Sequence, residues 1–451
     1  MFEELYPVTY YFYPLLPHEK RVQDILDPCV RGLQEVFMKP RVQVDGALLY
    51  LHIPYCHDIC QFCPFHVRVD NDESIYQRYT DYLCKEMELL SQQRYIQDMT
   101  FTAVYFGGGS PSIFPVSQLK QILEAMNRFF NITKNAEISF EGEPKTLGDP
   151  HRLDLLKEFN VSRISFGLQT YDDKIRELFK IKATLADVEN VRVNGRARDF
   201  ADINVDMMYD LPGQNLESLN QDMERLLEDD YDSVDYYNLH YFAFPKKFKL
   251  DMANGKIAAK PDALMHLALT EKVTEFMTGN GYNHVADQVF SKGEVCDYFK
   301  LLWAGGYGEH KSETVAVGAS ARGYLDGYSY LNRSNVRDYF SFLDRNTLPL
   351  QKVSNRLEQA HNRGTAFFLK FFSLDKQRHP EAMSNIPPPL LKTWKQYGLL
   401  HETEKSLNLT AKGKLWIPNM MVDLFEPEQK LLATGSKDLL TQKQGSRTGS
   451  F

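Results

Sequence analysis

Short runs rich in apolar and aromatic residues recur at Ala47–Ile53, Phe101–Phe106, Ala136–Glu141, Ser162–Phe166, Asp202–Met208 and Ser233–Leu239. Between them lie longer stretches with helical periodicity, near 74–93, 116–130, 150–158, 171–193 and 215–229. Strands therefore follow one another roughly every 25 to 40 residues with a helix between, the mark of βαβ units and a parallel sheet. Six such units predict an α/β fold, an open partial (β/α)6 barrel rather than a closed eightfold one. In folds of this kind sites gather at the C-terminal ends of the strands.

The pattern changes on either side of residues 46–245. Residues 1–45 are irregular and rich in aromatics and proline, and read as an N-terminal extension that packs on the rest of the chain. Residues 246–355 carry a helical segment near 262–279, then Gly281-Tyr-Asn-His-Val-Ala-Asp-Gln-Val-Phe290 and Val315-Ala-Val-Gly-Ala-Ser-Ala-Arg-Gly323. This region is expected to complete the open side of the barrel and to face the substrate. Residues 356–433 read as a small, mostly helical, winged-helix-like C-terminal domain acting as a lid. The polar tail 434–451 is expected to be disordered.

Composition narrows the class. The 451 residues are 43% hydrophobic and 13% aromatic, ample for large cores. A net charge of −8 argues against phosphate-driven nucleic-acid binding. The sequence has no run of 18 apolar residues, and Met1-Phe-Glu-Glu-Leu-Tyr6 lacks the basic-then-apolar order of a signal peptide. Six cysteines without a secretion signal point to a reducing compartment, where thiols serve metals or chemistry. The expectation is a monomeric cytoplasmic protein.

Three of those cysteines, Cys56, Cys60 and Cys63, share one loop directly after the first strand. Soft thiolates at this spacing suit an iron–sulfur cluster, and a zinc site remains an alternative on spacing alone. Cys29, Cys84 and Cys296 stand apart and read as small core residues. Gly107, Gly108 and Gly109 follow the second strand, where backbone can approach a ligand closely. Glu141 ends the third strand, Gln169 follows the fourth and Asp206 lies in the fifth, so polar groups meet the same rim.

These residues form an ordered set: Tyr50-x-His-Ile-Pro-x-Cys56, the triplet with Phe62 before its last cysteine, and Phe106-Gly-Gly-Gly-Ser-Pro-Ser112. Glu141, Arg163-Ile-Ser-Phe-Gly-Leu-Gln169, Asp206-Met-Met-Tyr-Asp-Leu-Pro-Gly-Gln214 and Asn332-Arg-x-x-x-x-x-Tyr339 continue it. The chain thus resembles the HemN-like radical S-adenosylmethionine (SAM) enzymes, the group of oxygen-independent coproporphyrinogen III oxidase, over roughly residues 46–345. The resemblance implies that Cys56, Cys60 and Cys63 hold a [4Fe–4S] cluster whose open iron chelates SAM. Tyr50, Phe62, Gly108, Gly109, Ser110, Glu141, Gln169 and Asp206 would line the SAM pocket, with Glu141 bonding ribose hydroxyls. A second SAM would lie near Gly108, His240 and residues 284–286.

Departures bear on the reaction. The oxidase has a further cysteine where this chain has Phe65, and its Tyr-Gly-Leu-Pro is Tyr209-Asp-Leu-Pro212 here. The arginine expected after Gln169 is absent, with Lys180 and Lys182 nearby. A sister group is therefore expected: class C methyltransferases that alkylate sp2 carbons of aromatic, quinone, heteroaromatic or tetrapyrrole substrates. The alternatives are an anaerobic haem-degrading methyltransferase, an oxidase-like decarboxylase, and a haem chaperone with a His or Cys axial ligand. In the methyl-transfer mechanism a 5′-deoxyadenosyl radical takes hydrogen from the second SAM, and the methylene radical adds to the substrate. Eliminating S-adenosylhomocysteine then needs a base. His240 is the first candidate, followed by Tyr241 and His66. The implied partners are a planar substrate and an electron donor such as flavodoxin or ferredoxin.

Overall fold

The computed structural model describes residues 2, 11–17, 27–41, 46–65, 67–70, 72–303, 312–357 and 361–433. Six strands carry the βαβ pattern: β1 (Ala47–Ile53), β2 (Phe101–Gly108), β3 (Ile132–Gly142), β4 (Arg163–Gln169), β5 (Asp202–Tyr209) and β6 (Ser233–Asn238). They are joined through helices that include α1 (Glu73–Ser91), α2 (Val116–Phe129), α3 (Pro150–Glu158), α4 (Leu185–Arg196) and α5 (Leu216–Asp229). After β6 come α6 (Ala263–Gly279), β7 (Asn283–Ala286), β8 (Val289–Ser291), α7 (Asp297–Leu302), β9 (Thr314–Val317), β10 (Arg322–Leu325), β11 (Tyr328–Asn332), α8 (Val336–Asp344) and β12 (Leu350–Val353).

These strands form one sheet in the order β12-β11-β10-β9-β1-β2-β3-β4-β5-β6-β8-β7. Strands β9 and β1 to β6 run parallel, while β8 and β10 pair antiparallel at the two flanks. The region after residue 245 thus adds strands on both sides of the parallel core.

The strands alternate in which face they bury. Leu49, Leu51, Val104 and Phe106 pack against α1 and α2 in one core, whereas Leu48 and Ala103 belong to a second core with Tyr298, Phe299 and Trp303 of the α7 segment. Period-two alternation assigns each strand one row to the helices and one to the inner face. That inner face is layered: Glu141 neighbours Ser165, which neighbours Asn204, and Gly167 neighbours Asp206, which neighbours Asp235.

The helices end where local chemistry tells them to. Along α2 the buried residues Leu119, Ile122, Leu123 and Met126 fall at helical spacing. The single helix expected over 171–193 is instead two, Asp173–Leu178 and α4, and this corrects the sequence reading. Lys180 takes a left-handed φ of 57°, and Thr184 and Asp187 form a capping box that starts α4 afresh.

Residues 361–433 form a smaller unit around a three-stranded antiparallel sheet, β13 (Ser373–Asp375), β14 (Leu400–Glu402) and β15 (Ser406–Leu409), with β15 in the middle. Trp394, Leu374, Leu407, Met420 and Met421 are buried within it. Residues 11–17 run between this unit and the barrel. Tyr13 packs on Phe425 at 4.7 Å, the Leu15 amide donates to Gln429 Oε1 at 2.6 Å, and Tyr11 lies 6.1 Å from Trp303. Among the described residues no helix is long and apolar enough to cross a membrane.

Candidate radical SAM site

The cysteine loop leaves β1 at Ile53 and is pinned on several sides. Tyr55 and Cys56 pair with Arg68 and Val69 in a short parallel bridge. The His57 ring bonds Glu143 beyond the end of β3. The Gln61 amide donates to the Phe179 carbonyl at 3.1 Å, and the Phe62 ring lies 5.4 Å from that of Phe179. No disulfide is formed by Cys56, Cys60 or Cys63. Burial pushes the Cys56 and Cys60 thiols up, Cys60 to about 12, and in both the next cause is the charge of Cys63. The three thiols therefore sit within one another's electrostatic reach.

Among the described residues no three His, Cys, Asp or Glu side chains converge as the ligands of a single ion. A cubane asks for something else, because each thiolate takes a different iron. The donor set fits that group: three neighbouring soft sulfurs in a partly buried loop, which a bound cationic centre would hold as thiolates.

The glycine turn lies against the start of this loop. Gly109 N–H donates to the Ile53 carbonyl at 2.8 Å and Ser110 N–H to that of Tyr55 at 2.7 Å. A Cβ on Gly109 would stand 2.5 Å from the Tyr55 oxygen; one on Gly108, at φ 114°, would strike the His52 ring at 2.6 Å. Glycine is required at both points by close approach and, at Gly108, by the backbone angle. Ser110 Oγ accepts the Glu143 N–H at 2.7 Å, so cysteine loop, glycine turn and β3 terminus close into one network.

Inside the barrel, Tyr50, Tyr105 and Tyr298 form a stack, with ring separations of 5.7 and 4.4 Å. Tyr50 Oη lies 2.6 Å from His52 Nδ1. Burial, followed by the charge of Arg322, pulls the His52 pKa down to about 3, and its Nε2 finds no partner among the described residues. Tyr105 Oη donates to Glu141 at 2.6 Å. Burial holds the carboxyls of Glu141, Asp206 and Asp235 above their ordinary range, and mutual repulsion adds to this at Asp206. Arg163 answers part of that charge, bonding Asp202 at 2.9 Å and approaching Asp235 at 3.8 Å. Gln169, at a φ of 75°, folds its amide across the face of Gly167. A lumen so rich in carboxyl groups favours a cationic ligand with hydroxyls to donate, as a ribose-bearing sulfonium has.

At the same rim a cavity of about 480 Å³ opens between β6, the β7–β8 hairpin, α6 and the C-terminal unit; its lining includes Asn238, His240, His266, His284, Asp287 and Lys414. His240 stacks on Phe242 at 5.3 Å, and burial pulls its pKa down to about 4. Tyr241 turns elsewhere: its hydroxyl donates to the Asp210 carbonyl at 2.7 Å and its ring packs near Phe244. His66 lies outside the described residues.

Two departures gain a physical meaning. Asp210 holds a left-handed φ of 67°, and its carboxylate bonds His266 Nδ1 at 2.5 Å on the cavity wall. Where an arginine was expected after Gln169, Arg176 donates to the carbonyls of Leu168 and Thr170 at 2.7 and 3.0 Å, and its charge acts on Cys60. The sequence reading missed Arg176, Tyr105, Asp235 and the His57–Glu143 pair. Strand alternation carries a signal for Tyr105 and Asp235, but nothing local marks the other three.

Residues 50–226 match the radical SAM superfamily model. Over 398 residues the chain is 27% identical to an anaerobilin synthase of Escherichia coli O157:H7, spanning 86% of this chain and 85% of the relative. It is 27% identical to the heme chaperone HemW of Bacillus subtilis, over 81% of this chain and 96% of that one. An oxygen-independent coproporphyrinogen III oxidase of Helicobacter pylori is 25% identical over 83% and 85%. The solved structure of coproporphyrinogen III oxidase (HemN) from Escherichia coli has the same fold, with a TM-score of 0.75, 22% identity and 92% and 96% of the two chains covered. A [4Fe–4S] cluster and SAM are the cofactors of this family. With its cysteine loop, glycine turn and parallel sheet, the chain carries a radical SAM domain over residues 50–226 and is similar over most of its length to HemN-like proteins.

Proposed function

We propose that this enzyme transfers a SAM-derived methyl group to an sp2 carbon of a planar tetrapyrrole, in the manner of a haem-opening anaerobilin synthase. The observation that supports the reading is the placement of a histidine-lined cavity of about 480 Å³ at the rim that carries the cysteine loop. Cavities of this size suit cofactor-like molecules. The likeness to anaerobilin synthase over most of both chains points to the same class of acceptor.

In this proposal Cys56, Cys60 and Cys63 hold the cluster. When bound, cluster and SAM together supply a reducing electron and a 5′-deoxyadenosyl radical. The backbone of Gly108 and Gly109, with Ser110, borders the methionyl part, while Glu141 takes ribose hydroxyls. Tyr50, Phe62, Gln169 and Asp206 complete the pocket, and a second SAM lies toward His240 and residues 284–286. His240, held neutral by burial, takes the proton released when the methylated product forms. Residues 11–17 and the C-terminal unit close the mouth against water. A flavodoxin or ferredoxin delivers the electron.

Anaerobic reconstitution with dithionite, haem and methyl-labelled SAM tests this. The expected result is 5′-deoxyadenosine and S-adenosylhomocysteine formed in step, with label entering an opened tetrapyrrole. Deoxyadenosine with carbon dioxide from coproporphyrinogen would reassign the chain as an oxidase. Stoichiometric haem binding without turnover would make it a chaperone.

A further inference from the structure

Strand β10 brings Arg322 to the inner side of the barrel. Tyr324, two residues on and therefore on the same face, is buried in the inner core with Leu48 and Ala103. Tyr324 opposes Thr314 on β9, and the antiparallel register carries Arg322 to the level of Ala316, the neighbour of Tyr50 on β1. The charge of Arg322 is felt at both Tyr50 and His52.

The cations around it are answered. Arg163 bonds Asp202 at 2.9 Å, Lys370 bonds Asp287 at 3.0 Å, and Arg363 donates to the Ser312 carbonyl at 3.2 Å. Arg322 has no carboxylate, carbonyl or hydroxyl acceptor among the described residues; its guanidinium carbon instead faces the Phe12 ring at 5.2 Å. Its nitrogens are not sealed in packing either, since the side chain is only part-buried. A guanidinium carries five donors in a planar fork that matches a carboxylate. Holding one half-desolvated and unmatched costs stability, so such an arrangement points to a ligand that completes it.

The lumen is also asymmetric in charge. Glu141, Asp206 and Asp235 lie on β3, β5 and β6, while Arg322 lies on β10, across β9, β1 and β2. A ligand with a cationic or hydroxyl-bearing part and a separate carboxylate is oriented by such a field.

We propose that Arg322 is a carboxylate-binding residue, a specificity point beside Tyr50 that holds an anionic arm of a ligand within the barrel. The carboxylate belongs either to a propionate of the tetrapyrrole or to the methionyl group of a SAM molecule not held by the cluster. The first source rests on the proposed function; the second needs only the radical SAM assignment.

The test uses anaerobically reconstituted full-length protein, Arg322→Leu and Arg322→Lys, and three probes: iron(III) protoporphyrin IX, its dimethyl ester, and SAM. If a propionate is the partner, R322L weakens binding of the free acid by about tenfold or more and leaves the ester unchanged, with R322K intermediate. If a SAM carboxylate is the partner, R322L loses one equivalent in a SAM titration and leaves both porphyrins unchanged. Melting temperature separates this from a fold defect: removing an unmatched cation leaves R322L at or above the wild type. Unchanged affinity and stoichiometry for every probe overturns the inference, as does a marked fall in melting temperature. Failure of the wild type to bind either porphyrin counts against the proposed acceptor, while the SAM titration still decides the role of Arg322.

Discussion

The hydroxyl of Tyr105 on β2 donates to the carboxylate of Glu141 on β3 at 2.6 Å, between the aromatic stack and the glycine turn. A carboxyl group buried this deeply is oriented by its donors, and the Gly108 amide is the other one acting on it. Tyr105→Phe keeps the ring stack and removes one hydrogen bond to a charged group, a loss of roughly 1.5–3 kcal/mol where the carboxylate is ionised. With Glu141 less firmly aimed, SAM binding weakens by roughly tenfold, and the melting temperature falls modestly with the lost bond. Calorimetric titration of SAM into both proteins checks this, and equal affinities would detach Glu141 from the ribose.

Each member of the cysteine triplet is expected to be indispensable for the cluster, because no further thiol on the loop can substitute. Cys29 is 3.2 Å from Asn355, Cys84 contacts the Gln121 carbonyl, and Cys296 begins α7 inside the barrel, all outside the loop. Cys56→Ser, Cys60→Ser and Cys63→Ser should each fail to retain four irons after anaerobic reconstitution, whereas Cys84→Ser should load normally. Iron and sulfide analysis of the four variants reads this directly. Full loading of any triplet variant would remove that residue from the ligand set.

Glu86 on α1 offers a pH test remote from the cysteines. It accepts from Gly318 N–H and Asn332 Nδ2 at 2.7 Å and from Tyr339 Oη at 2.6 Å. Burial outweighs those donors and pushes its carboxyl from the ordinary 4.5 up to about 7. Between those values the folded protein holds a proton that the unfolded chain has released, so stability falls as pH rises through this window. The shift corresponds to on the order of 3 kcal/mol. Glu86→Gln lacks this titration but sets an amide N–H against one of the donors, and is less stable at low pH. The gap in melting temperature between wild type and E86Q should therefore narrow from pH 4.5 to 7. A constant gap would mean that Glu86 titrates normally.

Much of this architecture is written locally. Apolar runs with period-two alternation mark β1 to β6, and the expected Ala47–Ile53 coincides with β1. Cysteine spacing and consecutive glycines mark the loop and turn, because close backbone approach restricts sequence strongly. What escapes is set by distant partners. The first turn of α7 is capped by Glu137, whose carboxylate accepts the Asp297 N–H at 2.7 Å from 160 positions away. Arg322 sits in a glycine- and alanine-rich stretch whose inward face depends on the antiparallel register with β9. The cavity wall combines His240, His284 and Lys414 from three regions, so no local window contains it. Tyr241, which follows His240 among the candidate bases, has its hydroxyl committed to the Asp210 carbonyl.

His240 bears on the last step of the proposed reaction. A base that takes a proton must be neutral beforehand, and burial achieves this by pulling the imidazole down to about 4 against the opposing pull of Asp210. An ordinary histidine near 6.5 would lose base function below neutrality. His240 should keep it until pH falls through about 4, so the acidic limb of the methyl-transfer profile lies well below 6.5. Radical formation precedes proton removal, and the two should separate in His240→Asn. S-adenosylhomocysteine and methylated product drop by about a hundredfold, the usual scale for a lost general base, while 5′-deoxyadenosine continues to form. Quantifying both nucleosides in single-turnover reactions gives their ratio. A parallel loss of both would place His240 in SAM binding, and an unchanged ratio at wild-type rate would move the base to another residue of the rim.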